Sequence, residues 1–270
     1  MLNHFRVQFA LVGVAVCLVA MLIKRRVVAV GFFVVASLSF LPVIPTLLPG
    51  LELHSGSFLV AHINVGGSDP TQVQAWIESL DDGVPAVMLL EVRPGDALAT
   101  SAPKGWAFAL QRPTDDTRGL IVLCRPGEDL DARIESFTVP GTTRDMAVIE
   151  IAHITIMQAH LARPGSARGF EEQRAMSQTL ADWSRQFPGH PEPVVVVGDF
   201  NAAPWSAAVE PLREAGLRPS CGSGSGTWPS VMPFGLRVPI DHAFSNTDTR
   251  IEVGPHLGGD HRPILVEIAR

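Results

Sequence analysis

The chain has 270 residues and a formal net charge of −6, which is enough length for one large domain or two small ones. The first fifty residues contain four basic residues and no acidic one, so the remainder has 17 basic against 27 acidic residues. An acidic domain is a poor electrostatic match for a nucleic-acid backbone. Nucleic acid is therefore a disfavoured partner, unless a bound metal supplies local positive charge.

Two apolar runs fill the N-terminal fifty residues on either side of Lys24-Arg25-Arg26. Their length predicts a transmembrane helical hairpin with spans at about 6–23 and 27–48. Because the basic turn favours the cytoplasm, the domain at 51–270 is expected outside it, held at the cell membrane with the lipid bilayer as partner. The alternative is a signal-like first segment with only the second run spanning.

Short apolar strands with a few interspersed helices follow the Pro49-Gly50 breaker. The predicted helices cover residues 70–80, 170–187 and 206–215. The predicted strands cover residues 57–65, 85–92, 106–110, 119–124, 133–139, 146–152, 153–161, 194–199, 238–245, 251–253 and 262–268. This order indicates a single α/β domain of two packed sheets covered by helices.

The four consecutive valines from Val194 to Val197 predict a strand buried on both faces, and Asp199 and Asn201 follow it directly. A carboxylate and an amide two residues apart point the same way, at an edge where ligands often bind. Such groups suit a hard cation or a polarised water. The alternative is a plain turn, since Gly, Asp and Asn are turn residues.

Further polar residues stand at the ends of other predicted strands, where they are unusual unless they converge on one site. They are Asn64, Glu91, His160, Asp241, Asp260 and His261. Each of them alone is weak evidence, because a single His or Asp in such a place is more often structural.

In this order, and with the motifs Gly198-Asp199-Phe200-Asn201 and Asp260-His261-Arg262-Pro263, the chain resembles the endonuclease/exonuclease/phosphatase superfamily, the deoxyribonuclease I-like proteins. The resemblance covers about residues 58–268. It implies a four-layer α/β/β/α sandwich of two mixed sheets. It also implies metal-dependent cleavage of a phosphate ester or anhydride.

The resemblance and the needs of phosphoryl transfer together assign roles to the site residues. Glu91 and Asp260 are expected to bind Mg²⁺, with Mn²⁺ as the alternative ion. The catalytic set is expected to comprise His160, Asp199, Asn201, Asp241 and His261. Asp199 orients the attacking water, and Asp241 pairs with His261, which faces the phosphate. His160 acts on the leaving group or on a phosphate oxygen.

The remaining polar residues receive either a substrate-binding or a structural interpretation. Asn64 is expected to hold phosphate oxygens or the Asp199 carboxylate. Arg118 and Arg163 either face solvent or contact phosphate, and Arg118 is assigned to substrate binding. Four histidines are interpreted as structural: His62, His153, His242 and His256.

These expectations favour a membrane-anchored, Mg²⁺-dependent phosphohydrolase that acts on a lipid-linked or small extracytoplasmic phosphate. The architecture also resembles bacterial membrane proteins linked to teicoplanin resistance. One alternative is an extracytoplasmic metal-dependent nuclease that uses the same residues. A second is a catalytically inactive module that binds a phosphate ligand. The sequence indicates no protein partner.

Overall fold

A computed structural model of the chain describes residues 5–47, 57–139, 142–186 and 193–269. Its helices are α1 (Arg6–Leu22), α2 (Arg26–Phe40), α3 (Ile44–Leu47), α4 (Pro70–Glu78), α5 (Ala97–Thr100), α6 (Ala167–Ser184) and α7 (Glu210–Glu214). Its strands are β1 (Phe58–Asn64), β2 (Ala86–Leu90), β3 (Ala107–Arg112), β4 (Leu120–Cys124), β5 (Leu130–Val139), β6 (Thr142–Ile151), β7 (Ile154–His160), β8 (Val194–Asp199), β9 (Arg218–Pro219), β10 (Asp241–Ser245), β11 (Thr249–Val253) and β12 (Ile264–Ile268).

The strands form two six-stranded sheets. The first has the order β11-β12-β1-β2-β4-β3 and the second the order β5-β6-β7-β8-β10-β9. In each sheet one central pair is parallel, β1 with β2 and β7 with β8, and the other pairs are antiparallel. The predicted sandwich of two mixed sheets is therefore confirmed.

The two sheets pack face to face through alternating apolar side chains. Val60 and Met88 of the first sheet meet Ile149 and Val197 of the second in one buried cluster. The opposite faces are covered by helices, with α4 on the first sheet and α6 on the second. Successive side chains of a strand point to opposite faces. Since one face of each sheet packs on the other sheet and the opposite face packs on helices, both faces of each central strand are apolar.

Strand register brings the ends of several strands together at one edge of the sandwich. His160, the last residue of β7, is level with Asp199, the last residue of β8. Asp199 in turn lies opposite Asp241, the first residue of β10. In the first sheet Asn64 is level with Leu90, so Glu91 follows directly. The polar residues predicted at these strand ends therefore lie together at one edge of the sandwich, which we call the mouth of the site.

The prediction of a transmembrane hairpin is wrong, and so is the membrane location derived from it. Within the described residues, no helix is both long and apolar enough to cross a membrane. Helix α1 has 17 residues and α2 has 15, which at 1.5 Å per residue gives about 26 Å and about 22 Å against a hydrocarbon core of about 30 Å. Helix α2 ends at Phe40, because Pro42 follows and a 3-10 turn spans Leu41–Val43.

The hairpin instead has contacts with the rest of the protein. Gln8 donates a hydrogen bond to the Arg237 carbonyl at 3.2 Å, and Gly224 N–H donates to the Thr46 carbonyl at 3.0 Å. The large apolar side chains that remain exposed in the described residues belong to residues 5–44 and 231–236. The predicted Pro49-Gly50 breaker, the boundary between residues 50 and 51, and the predicted ends at Leu48 and Phe187 lie outside the described residues.

Candidate active site

The centre of the mouth is a group of two buried carboxylates and one partly buried imidazole. His160 Nε2 lies 3.6 Å from Glu91 Oε1 and 3.9 Å from Asp199 Oδ2. Glu91 comes from the first sheet, and the other two residues come from the second. These three residues, which sequence analysis placed on separate strands, therefore share one site.

Asn64 joins the two carboxylates. Its Nδ2 donates hydrogen bonds to Glu91 Oε1 at 3.0 Å and to Asp199 Oδ2 at 3.1 Å, while its Oδ1 accepts from Gly66 N–H at 3.0 Å. A Cβ on Gly66 would lie 2.5 Å from Glu91 Oε2, so any larger residue there would displace this carboxylate. Glu91 itself has a φ of +59°, a backbone conformation that costs a non-glycine residue about 1–3 kcal/mol. The fold thus holds the Glu91 carboxylate at this point against local strain.

His261 and Asp241 form the predicted pair. His261 Nδ1 lies 2.8 Å from Asp241 Oδ2, and both side chains are buried. The other ring nitrogen, Nε2, lies 3.8 Å from Asp199 Oδ2. The bond to Asp241 fixes the ring, so that Nε2 points at the Asp199 side of the mouth.

The turn after β8 is held from several directions. Asn201, at a φ of +46°, donates its backbone N–H to Asp199 Oδ1 at 2.8 Å and its amide nitrogen to the Leu161 carbonyl at 2.9 Å. From α6, Gln173 donates to the carbonyls of Phe200 and Asn201, each at 2.9 Å. Sequence analysis missed Gln173, because one buried glutamine on an amphipathic helix carries no local signal.

Burial and charge shift the pKa values of the central groups. Burial raises the pKa of Asp199, and His261 and His160 oppose this effect. Burial lowers the pKa of His160, against the attraction of Asp199 and Glu91. Burial alone would also lower the pKa of His261, but the Asp241 and Asp199 carboxylates outweigh it and raise this pKa to about 10. His261 is therefore an imidazolium at neutral pH, suited to stabilising negative charge that develops on a phosphate.

The central group fits a divalent cation. Glu91, His160 and Asp199 each offer one ligand atom, and these atoms lie within 4.8 Å of one another. Hard cations prefer carboxylate oxygens, and an imidazole is a common additional ligand of transition-metal ions such as Mn²⁺. Three buried carboxylates, Glu91, Asp199 and Asp241, also leave the site rich in negative charge. A second group, formed by Asp199, Asp241 and His261, meets the same distance limit, but there His261 Nδ1 is already engaged by Asp241.

Two predicted residues do not belong to the group of Glu91, His160 and Asp199. Asp260, expected as a second metal ligand, is half exposed, has Oδ1 4.0 Å from His261 Nε2, and accepts a hydrogen bond from Trp228 Nε1 at 3.1 Å. Arg118, expected to bind substrate, forms an ion pair with Asp116 at 2.6 Å. The arginine that contacts the group is Arg163, whose Nη2 lies 3.3 Å from Glu91 Oε1. The sequence signal that could have placed Arg163 at the site is its position three residues after His160, just beyond the end of the same strand.

An apolar pocket opens directly beside the polar group. Its volume is about 290 Å³, and its polar lining residues are Arg163, Asn201, Asp260 and His261. The apolar walls are formed by Phe5, Pro164, Trp228, Val238 and Ile240. One wall thus comes from the N-terminal segment that begins the hairpin. A substrate group bound here would contact apolar side chains next to the imidazolium.

The fold is similar to several solved structures at low sequence identity. A 3'-5' exonuclease from Neisseria meningitidis matches with a TM-score of 0.60 and 16% identity, over 79% of this chain and 100% of that one. Truncated TDP2 from Caenorhabditis elegans matches with a TM-score of 0.59 and 13% identity, over 82% and 100%. A mannosyl-6-phosphatase from Bacteroides thetaiotaomicron matches with a TM-score of 0.58 and 13% identity, over 79% and 100%.

No curated protein sequence matches this one. The family model described as the endonuclease/exonuclease/phosphatase family, whose members are hydrolases that act on phosphate esters, matches residues 61–261. This match runs from β1 to His261 and so includes all the polar residues that were predicted at strand ends. By that match, the chain belongs to the endonuclease/exonuclease/phosphatase family.

Proposed function

We propose that this protein is a divalent-cation-dependent phosphohydrolase that cleaves a phosphate ester or anhydride on a compound carrying an apolar group, such as a lipid-linked phosphate. The observation that supports this substrate class is the apolar pocket beside His261 and Asn201. A phosphate bound beside His261 and Asn201 would leave an attached apolar group to contact the apolar lining residues, among them Trp228 and Ile240. Burying such a group contributes about 25 cal/mol for each Å² removed from water.

The pocket also adjoins a wider apolar surface. Phe5 lines the pocket and begins the hairpin, whose helices carry most of the exposed large apolar side chains in the described residues. Large exposed apolar patches usually mark binding surfaces. A finer placement among membrane proteins linked to teicoplanin resistance has no support from the comparisons. We therefore base the substrate class on the pocket.

The proposed roles follow from the contacts at the mouth. Asp199 is held by Asn64 and Asn201, so that its carboxylate is positioned to orient a water and take its proton. The imidazolium of His261 stabilises charge on the phosphate oxygens. His160, whose Nε2 lies 3.6 Å from Glu91 Oε1, is proposed to act on the leaving group or on a phosphate oxygen. Glu91, with His160 and Asp199 beside it, would hold Mg²⁺ or Mn²⁺, which when bound supplies positive charge to the phosphate oxygens.

Arg163 replaces Arg118 as the proposed cationic substrate ligand. The side chain of Arg163 is largely exposed, contacts Glu91 and lines the apolar pocket together with His261. A guanidinium can bind two phosphate oxygens at once, and in that position it would offset the negative charge of Glu91. Arg118 is already paired with Asp116.

A nuclease is the second candidate. The similar structures include an exonuclease and, in another crystal, a 3' phosphatase from Neisseria bound to a DNA hairpin. Against this candidate stands the net charge of −6, since affinity for DNA comes largely from neutralising phosphates with Lys and Arg. A catalytically inactive binding module is the third candidate, and the close packing of all the central residues argues against it.

The substrate class is tested by incubating the purified chain with Mg²⁺ or Mn²⁺ and three substrates: a polyprenyl pyrophosphate, a phospholipid and plasmid DNA. We expect phosphate release from the polyprenyl pyrophosphate and none after chelation of the metal. Cleavage of DNA alone would contradict the proposal and favour the nuclease. Inertness toward all three, with either metal, would favour the binding module.

The Glu91→Gln variant tests the assignment of the cation. It keeps the size of the side chain and removes one carboxylate charge, so turnover should fall at least about a hundredfold, as when one electrostatic contact to the reacting group is lost. Glu252→Gln is the matched control, because Glu252 is an exposed strand residue, and it should retain wild-type turnover. Near wild-type turnover of Glu91→Gln would remove Glu91 from the proposed role.

A further inference from the structure

His62 is a buried histidine that none of the proposed roles uses. It lies on β1 between Val60 and Asn64, level with Met88 of the neighbouring strand. Its side chain points into the space between the two sheets and is fully buried. Among the described residues, neither ring nitrogen forms a hydrogen bond of normal geometry, although the backbone of Met88 lies close enough to act on the pKa of the ring. An unpaired polar group costs stability in such a place, where an apolar side chain would be expected.

The ring faces the back of the catalytic pair. His62 Nε2 lies 3.9 Å from Asp241 Oδ1, an oxygen that is also buried and without a hydrogen-bond partner in the described part of the chain. The other oxygen of the same carboxylate, Oδ2, is the one that contacts His261 Nδ1 at 2.8 Å. His62, Asp241 and His261 therefore form a row that runs from the first sheet across to the second and on to the mouth.

His62 is neutral in this environment. Burial lowers its pKa to about 3, the neighbouring His261 and His160 act in the same direction, and the backbone of Met88 opposes them. A neutral imidazole carries one N–H, and the carboxylate opposite Nε2 favours the tautomer with the proton on that nitrogen. At 3.9 Å the contact is longer than a hydrogen bond. In a space that excludes water, however, an N–H dipole aimed at a carboxylate is only weakly screened.

We propose that His62 is a positioning residue, whose Nε2–H dipole holds the Asp241 carboxylate in the orientation in which Oδ2 accepts from His261. Without it, Asp241 would be free to rotate toward its second, unpartnered oxygen. His261 would then lose the orientation that points Nε2 at the Asp199 side of the mouth. This inference deepens the proposed function, on which its kinetic test rests.

Three variants of the full chain separate positioning from packing. His62→Leu fills the space without an N–H, and His62→Gln restores an N–H donor in a similar volume. Met88→Ala is the packing control, because Met88 is level with His62 in the inter-sheet core and belongs to the neighbouring strand. Each variant is assayed with Mg²⁺ and bis(p-nitrophenyl) phosphate. The Nδ1–H resonance of His261 is recorded by NMR on histidine-labelled protein.

We expect His62→Leu to lower kcat at least about tenfold with KM changed less than about twofold, as for other residues that orient a catalytic group. His62→Gln should recover most of this loss, and Met88→Ala should keep kcat within about twofold of wild type. The His261 Nδ1–H resonance should shift in His62→Leu and stay in place in Met88→Ala.

Wild-type kcat in His62→Leu would overturn the inference, and so would an equal loss in Met88→Ala, since loosened packing would then explain both. If the wild-type chain is inert toward the diester with any metal, that result counts against the proposed function. The His261 resonance then decides the inference by itself: a shift in His62→Leu supports it, and an unchanged resonance overturns it.

Discussion

At the scale of single residues, the site contains more buried carboxylates than cationic side chains to pair with them. Glu91, Asp199 and Asp241 are buried carboxylates, and the cationic side chains close to them are His261 and Arg163. A buried charge is stable only when it is paired. This explains why the pKa of His261 is raised although burial acts to lower it. The imidazolium is held by Asp241 and by Asp199, and Asp199 also belongs to the candidate cation group.

The raised pKa of His261 predicts how stability depends on pH in the metal-free protein. The folded state keeps the proton up to about pH 10, whereas the unfolded chain loses it near pH 6.5. Between these values the folded state binds more protons. The free energy of unfolding should therefore fall as pH rises, by about 1.4 kcal/mol per pH unit, while the contribution is fully present below pH 6.5.

This dependence is measured by urea unfolding in EDTA from pH 6.5 to 10. The His261→Gln variant should lose the slope, because the titrating group is gone. His256→Gln, which replaces an exposed histidine, should keep the wild-type slope. Identical slopes in His261→Gln and wild type would show that His261 does not retain its proton in the folded state.

At the scale of elements, the parallel pair of β7 and β8 positions the site. The two strands approach so closely at Gly198 that a Cβ there would lie 1.9 Å from the Ala159 carbonyl oxygen, at a φ of +152°. The next residue is Asp199, level with His160. Their 3.9 Å contact therefore depends on a glycine that permits close backbone contact.

Gly198→Ala should separate the strands at this point. We expect the free energy of unfolding to fall by at least about 2 kcal/mol, as for other substitutions that overpack a core, and activity to fall with it. Chemical unfolding and turnover measure the two effects. Gly95→Ala is the control, because a Cβ on Gly95 meets nothing within 4 Å. An active Gly198→Ala variant of wild-type stability would contradict the close approach.

At the scale of the whole molecule, the candidate cation group joins the two sheets. Glu91 follows β2 of the first sheet, while His160 and Asp199 end strands of the second. A ligand that binds only the folded arrangement stabilises it by mass action. Cation binding should thus stabilise the packing of one sheet on the other, in addition to any part in chemistry.

Metal removal tests this coupling. Mg²⁺ or Mn²⁺ at a hundred times its Kd contributes about 2.7 kcal/mol, which for a chain of this size should raise Tm by about 5 °C or more. Thermal unfolding with and without EDTA measures the shift. Glu91→Gln should show little shift, and Glu252→Gln should show the full one. A wild-type Tm that is insensitive to millimolar concentrations of either metal would contradict cation binding at this group.

The sequence predicted most of the strands because their signals are local. The valine run before Asp199 and the alternating side chains of β1 are patterns of neighbouring residues. The position of each polar residue at the end of its strand is a local pattern as well. The order of those polar residues then indicated the family and the two-sheet fold. The N-terminal hairpin was predicted as a pair of helices for the same reason, although its length was overestimated.

Helix length at the N-terminus was set locally, because Pro42 follows Phe40 by two residues and the α-helix ends before it, although the apolar composition continues. The tertiary structure decided which arginine contacts Glu91. Arg118 and Arg163 are equivalent by pattern, and only the packing of loops from different sheets brings Arg163 within 3.3 Å and leaves Arg118 paired with Asp116. Periodicity tells which face of a strand a residue occupies. It does not tell what faces that residue across the core, and for this reason the contact between His62 and Asp241 emerged only from the fold.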